Sequence, residues 1–134
     1  MDEKLQKQLF DKYPKIFNLK SPPSSPFDCW KIETNNGWYD LIDRTAAKIQ
    51  KILDKDKNSF FNTEQQKEKW GLLRWYYSCD EKNYNKFRKI IDAAEEESGR
   101  ICEDCGSKEN VSQNSKGWIL TLCESCRNKK TNDE

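Results

Sequence analysis

The chain has 134 residues, about one domain's worth, which excludes a large multidomain enzyme, and only 34% of it is hydrophobic against 35% charged. The core must be small and built on rings, because 5 Trp, 5 Tyr and 6 Phe let a few positions fill a compact interior. A net charge of +1, from 24 basic and 23 acidic groups, excludes a global pull toward nucleic acid or anionic membrane, and the absence of histidine removes the commonest general base.

Leu5, Leu9 and Phe10 share one helix face over residues 2–13, and Pro14 stops that helix. A Pro-rich loop follows at 21–26, where three prolines exclude regular structure. Residues 27–34 are a candidate short strand, and Asn35-Asn36-Gly37 is turn chemistry that can cap the next element. From Trp38, apolar residues recur at Leu41, Ile42, Thr45, Ala46, Ile49, Ile52 and Leu53, the stripe of a long helix facing a core. The run Leu72-Leu73-Arg74-Trp75-Tyr76-Tyr77 alternates, with Leu73, Trp75 and Tyr77 on one face and Arg74 and Tyr76 on the other. A hairpin turning near Trp70-Gly71 and a single bent strand both fit this run. Tyr84, Phe87, Ile90, Ile91 and Ala94 predict a second long helix that ends near Ser98-Gly99. The acidic run Glu95-Glu96-Glu97 near its C-terminus opposes the helix dipole and reads as a solvated face.

The elements predict an α+β fold, with two long helices on a small antiparallel sheet and a C-terminal four-cysteine zinc ribbon. Residues 1–98 form the body, and residues 99–134 form the ribbon and a polar tail. No apolar run nears the roughly 20 residues needed to span a bilayer, and the N-terminus lacks a signal-peptide core, so a soluble intracellular protein is expected.

Six cysteines are present, four of them in two tight pairs. Cys102-x2-Cys105 and Cys123-x2-Cys126 stand seventeen residues apart, the spacing at which two backbone knuckles offer four thiolates to one ion. In a reducing compartment such pairs favour metal over disulfides, so one structural Zn2+ is expected. Four protein ligands leave no open position for a catalytic water. Gly106 suits the left-handed turn of a knuckle, and residues 117–122 are expected as a strand leading into the second pair. Cys29 and Cys79 lack neighbours at ligand spacing and are expected to be small buried thiols.

Residues 99–134 balance six basic against six acidic groups, so the ribbon is a poor DNA clamp, although Arg127, Lys129 and Lys130 make a small basic edge. Residues 44–75 carry eight basic against four acidic groups, interleaved with Trp70 and Trp75, which suits a nucleic-acid backbone and stacked bases. Arg74, flanked by Leu73 and Trp75, must reach solvent or an anionic partner such as Glu68.

Two stretches carry resemblances. Cys102-Glu103-Asp104-Cys105-Gly106-Ser107, with Leu120-Thr121-Leu122-Cys123-Glu124-Ser125-Cys126-Arg127-Asn128-Lys129-Lys130, resembles the zinc knuckles of HNH-type nucleases. That family's metal-dependent cleavage needs a histidine base and further metal ligands, and this chain offers Val111-Ser112-Gln113-Asn114 and Arg127 in those places. A wider resemblance runs through Tyr13-Pro14-Lys15-Ile16-Phe17, Gly37-Trp38-Tyr39-Asp40-Leu41-Ile42 and Lys67-Glu68-Lys69-Trp70-Gly71-Leu72-Leu73-Arg74-Trp75-Tyr76. It continues through Glu95-x2-Ser98-x2-Ile101-Cys102-Glu103-x-Cys105-Gly106 and Gly117-Trp118-x2-Thr121-Leu122-Cys123. These blocks are similar to a family of small phage and prophage zinc proteins without an established activity, whose members often end the zinc site with histidine where this chain has Cys126.

That resemblance implies a protein made in the cytoplasm of an infected or lysogenic bacterium, acting on host machinery by binding it. No catalytic constellation is present, so a non-enzymatic binder is expected. The expected partner is a host protein, such as a defence nuclease or CRISPR effector, met by Lys67, Lys69, Trp70, Arg74, Tyr76, Arg127 and Lys129, because Trp, Tyr and Arg dominate binding hot spots. The alternatives are nucleic acid bound through residues 44–75, and a nucleotide signal sequestered beside Arg74.

Overall fold

The computed structural model describes residues 1–132; Asp133 and Glu134, part of the tail's charge balance, lie outside the described residues. Helix α1 (Glu3–Lys12) buries Leu9, and the chain leaving it turns Tyr13, Ile16 and Phe17 into the core. The Pro-rich loop is held from one point. The Asp28 carboxylate accepts the N–H groups of Lys20 at 2.9 Å, Ser24 at 2.8 Å and Ser25 at 3.2 Å. Hydrogen bonding from the Ser24 backbone, opposed by partial burial and joined by the Lys20 N–H, pulls Asp28 down to about 2.

Asp28 belongs to α2 (Pro26–Trp30), a five-residue helix where the sequence predicts a strand. A proline at the first helical position, with an acidic residue in the first turn, outweighs the strand-forming composition of residues 27–34. Only Ile32–Glu33 remain as strand β1. Cys29 consequently lies exposed on α2 rather than buried, and Cys79 is half-buried.

A 3-10 turn at Asn36–Trp38 leads into α3 (Tyr39–Lys55), which buries Leu41, Ile42, Thr45, Ala46, Ile49 and Leu53 as the stripe predicts. Strands β2 (Phe61–Lys69) and β3 (Leu72–Cys79) form an antiparallel hairpin around Trp70-Gly71, which settles the choice between hairpin and bent strand. Lys67 stands opposite Arg74, Gln66 opposite Trp75, and Gln65 opposite Tyr76. The sheet order is β1-β2-β3. Because β1 runs parallel to β2, the sheet is mixed rather than purely antiparallel.

Helix α4 (Tyr84–Ser98) packs on β3, and α3 packs on α4. Between them, Phe61 stacks on Tyr77 at 4.8 Å and meets Phe87 edge-on at 5.2 Å, while Trp75 stacks on Phe17 at 5.6 Å. Rings at these separations add to the area they bury, which is how a chain of low hydropathy closes a core. The acidic run at the end of α4 is offset by arginines. Glu95 pairs with Arg74 at 2.7 Å, Glu96 with Arg100 at 3.3 Å, and Glu97 with Arg44 of α3. Arg74 therefore reaches neither solvent alone nor Glu68, whose carboxylate accepts the Gly71 N–H at 2.7 Å.

The remaining described chain is a knuckle, a two-stranded hairpin of β4 (Val111–Gln113) and β5 (Thr121–Cys123), and helix α5 (Glu124–Asn132). The strand begins at Thr121 rather than Gly117. Residues before it are looped around Asn114, whose side chain donates to the carbonyls of Lys116 and Trp118 and accepts the Leu120 N–H.

Candidate metal centre and tryptophan groove

The first pair of cysteines sits in a tight backbone knuckle. Cys102 N–H donates to Ser107 O at 2.8 Å, and Gly106 N–H returns to Cys102 O at 2.9 Å. Gly106 takes φ +82°, the left-handed turn expected of it. The second pair straddles two elements: Cys123 ends β5, and Cys126 lies in the first turn of α5. A helix start offers unpaired N–H groups and partial positive charge to thiolates. Cys126 N–H donates to the Cys123 sulfur at 3.4 Å and pulls that thiol down to about 7, whereas burial pushes Cys126 up.

The four sulfurs lie within 4.8 Å of one another, and none of the six cysteines is in a disulfide. The Cys105 and Cys123 sulfurs are 3.7 Å apart. Ligands about 2.3 Å from a tetrahedral ion would be separated by about 3.8 Å. The group can hold a metal ion.

The body grips this centre at two places. Glu103, between the first pair, is buried; its backbone N–H donates to Thr121 O at 3.0 Å, and its carbonyl accepts the Gly37 N–H at 2.7 Å. Its carboxylate accepts the Asn35 N–H at 3.1 Å, and burial pushes it up to about 7. Trp38, fully buried, donates its indole N–H to Ile101 O at 2.9 Å. At the second place, the Thr121 hydroxyl donates to Gly71 O and accepts from Gln113 Nε2. The β2–β3 turn thus abuts the hairpin that carries Cys123.

That abutment forms a groove of about 410 Å³ lined by Lys67, Lys69 and Trp70 from the turn, and by Trp118 and Ile119 from the β4–β5 loop. Trp70 is 63% exposed and Trp118 78% exposed. Trp70 also has φ +58°, a left-handed position that hairpin turns ordinarily give to Asn or Gly.

No family model, curated protein or solved structure matches the chain.

Of the residues predicted for a partner surface, the fold brings Lys67, Lys69 and Trp70 into the groove and takes others away from it. Arg74 is engaged with Glu95, and Tyr76 is exposed beside Glu64 and Tyr84 in a separate hollow. Arg127 donates to Ser112 O at 2.6 Å, and Lys129 lines a hollow over Glu109 and Asn128. Trp118 is the groove residue that strand prediction missed. Its signal was an aromatic residue next to Gly117, in a stretch with no apolar alternation before Ile119. Among the described residues, no helix is long and apolar enough to cross a membrane.

Proposed function

We propose that the protein is a non-enzymatic zinc-binding module of phage type that inhibits or regulates a host macromolecule by stoichiometric contact, a defence nuclease or CRISPR effector being the kind of target meant. The observation that carries this reading is Trp70. A large ring at a left-handed turn position costs the fold on the order of 1 kcal/mol, and here it falls on an exposed residue that lines one groove with a second exposed tryptophan. Such strain persists where a surface is under selection for contact, and Trp is the leading hot-spot residue.

Zinc fits the centre because four thiolates in a tetrahedral arrangement suit a redox-inert ion that prefers sulfur. The ligands would be Cys102, Cys105, Cys123 and Cys126, and a full shell makes the ion a staple. The resemblance to small phage proteins supports the bacterial cytoplasm as the place of action. The nucleotide-sequestering reading loses support because Arg74, its phosphate partner, is occupied by Glu95.

The test uses full-length, zinc-loaded protein immobilised in host extract, with Trp70→Ala and Trp118→Ala as variants. Each substitution is expected to weaken the captured partner by more than ~1 kcal/mol with unchanged melting. Capture that ignores both substitutions would contradict the groove. Hydrolysis of a nucleotide or nucleic acid, abolished by one folding-neutral substitution, would contradict the non-enzymatic reading.

A further inference from the structure

At the far end of the β2–β3 hairpin from the tryptophan groove, two elements bring four lysines together. Lys51 and Lys55 stand one turn apart on α3, and Lys82 and Lys86 come from the turn before α4 and its first turn. The four line one hollow of about 310 Å³ with Asp56 and Asn83.

Four pairs spaced i,i+4 along helices are ion pairs: Lys7 with Asp11, Asp40 with Arg44, Arg88 with Asp92, and Glu96 with Arg100. Lys51 and Lys55, like Arg44 and Lys48, instead carry the same sign, and like charges at that spacing work against the helix. The one carboxylate in the hollow is already engaged. Asp56 accepts from Lys82 at 3.2 Å, from Asn83 Nδ2 at 3.2 Å and from the Asn58 N–H at 3.1 Å. It offsets one of four charges, and among the described residues no ion pair includes Lys51, Lys55 or Lys86. The floor is fixed, because buried Asn83 also donates to Ser59 and Asp80. The start of α4 is already met by a second carboxylate, because Asp80, outside the hollow's lining, accepts the Asn83 N–H at 3.0 Å, so the added positive potential comes from the lysines.

We infer that this hollow is a binding site for linked phosphate groups. Four compact ammonium charges around one engaged carboxylate match a dense polyanion. The hollow offers no aromatic platform, so recognition rests on charge. The phosphates come either from a nucleic-acid backbone or from a free polyphosphate such as a nucleotide triphosphate tail. The site lies apart from Trp70 and Trp118 and does not depend on the contact surface proposed there.

The experiment measures two probes on zinc-loaded full-length protein: a fluorescent oligothymidylate, by anisotropy across a salt series, and tripolyphosphate, by calorimetry and as a competitor. The variant is Lys55→Gln with Lys86→Gln, which leaves the Lys82–Asp56 pair intact. The control is Lys4→Gln with Lys15→Gln, which removes the same net charge elsewhere. The site predicts that the variant loses at least about tenfold in affinity for the probe that binds, with unchanged melting, while the control stays near wild type. For the oligonucleotide, the log–log salt slope should also flatten by about 0.7 for each phosphate that is no longer neutralised. Oligonucleotide binding displaced by tripolyphosphate identifies a backbone as the source, and tripolyphosphate binding alone identifies the free polyanion. Trp70→Ala should leave both unchanged, which separates this site from the groove. The inference is overturned if neither probe binds wild type more tightly than about 1 mM, or if the control loses as much as the variant.

Discussion

Gly37 donates its backbone N–H to the carbonyl of Glu103 across 2.7 Å, so the entry to α3 meets the first cysteine knuckle main chain to main chain. A Cβ at position 37 would collide with the carbonyls of Cys102 and Glu103. Backbone cannot rotate away as a side chain does. Gly37→Ala is therefore expected to cost at least about 1–3 kcal/mol, as overpacking does, and to weaken metal retention at the same time. Urea unfolding together with zinc content checks this; an unchanged midpoint with unchanged zinc would contradict it.

The tryptophans divide into two kinds that one pair of substitutions separates. Trp38 is fully buried and hydrogen-bonded to Ile101 O, so Trp38→Ala is expected to cost about 3–5 kcal/mol. Trp70 is exposed at φ +58°. Trp70→Asn, which tolerates that backbone, is expected to stabilise by up to about 1 kcal/mol while abolishing partner capture. Thermal melting of both variants decides the matter, and a strongly destabilised Trp70→Asn would mean that the ring supports the fold.

Acid stability reads the Pro-rich loop. The folded-state value of Asp28 lies near 2, below its ordinary 3.8. Its contribution is therefore fully present above about pH 4 and is lost as pH falls toward 2. Asp28→Asn should be less stable than wild type at neutral pH, with the difference shrinking between pH about 4 and 2. Metal release at low pH affects both chains, so the difference between them isolates Asp28. Parallel unfolding curves over that window would contradict the assignment.

How far the sequence could be read depends on the length over which each pattern repeats. Helices α3 and α4 repeat their apolar stripe over several turns, and β3 alternates through Leu73, Trp75 and Tyr77, so periodicity alone locates them. The cysteine pairs are legible because a knuckle fixes its own ligand spacing. Helix α2 was not, because five residues hold less than two turns, and their composition favours strand over the start signal at Pro26. Helix α5 has no apolar stripe, which hid the placement of Cys126 on a helix. The groove and the lysine hollow are tertiary. Trp70 and Trp118 line one groove only because Thr121 bonds to Gly71, and Lys51 and Lys86 line one hollow only because α3 packs on α4.

The metal centre and the groove are one construction, since the hairpin ending at Cys123 carries both Thr121, which holds the turn of Trp70, and the loop of Trp118. The most direct measurement is fluorine NMR of protein labelled with fluorotryptophan at its 5 tryptophans, assigned by single substitutions, before and after zinc removal. Purified protein should hold one zinc per chain. Chelation should shift the Trp38, Trp70 and Trp118 signals together and leave the signal of exposed Trp30 in place, and one equivalent of zinc should restore the original spectrum. Protein that holds no zinc, or a spectrum unchanged at Trp38, Trp70 and Trp118 after the metal is stripped, would contradict the account.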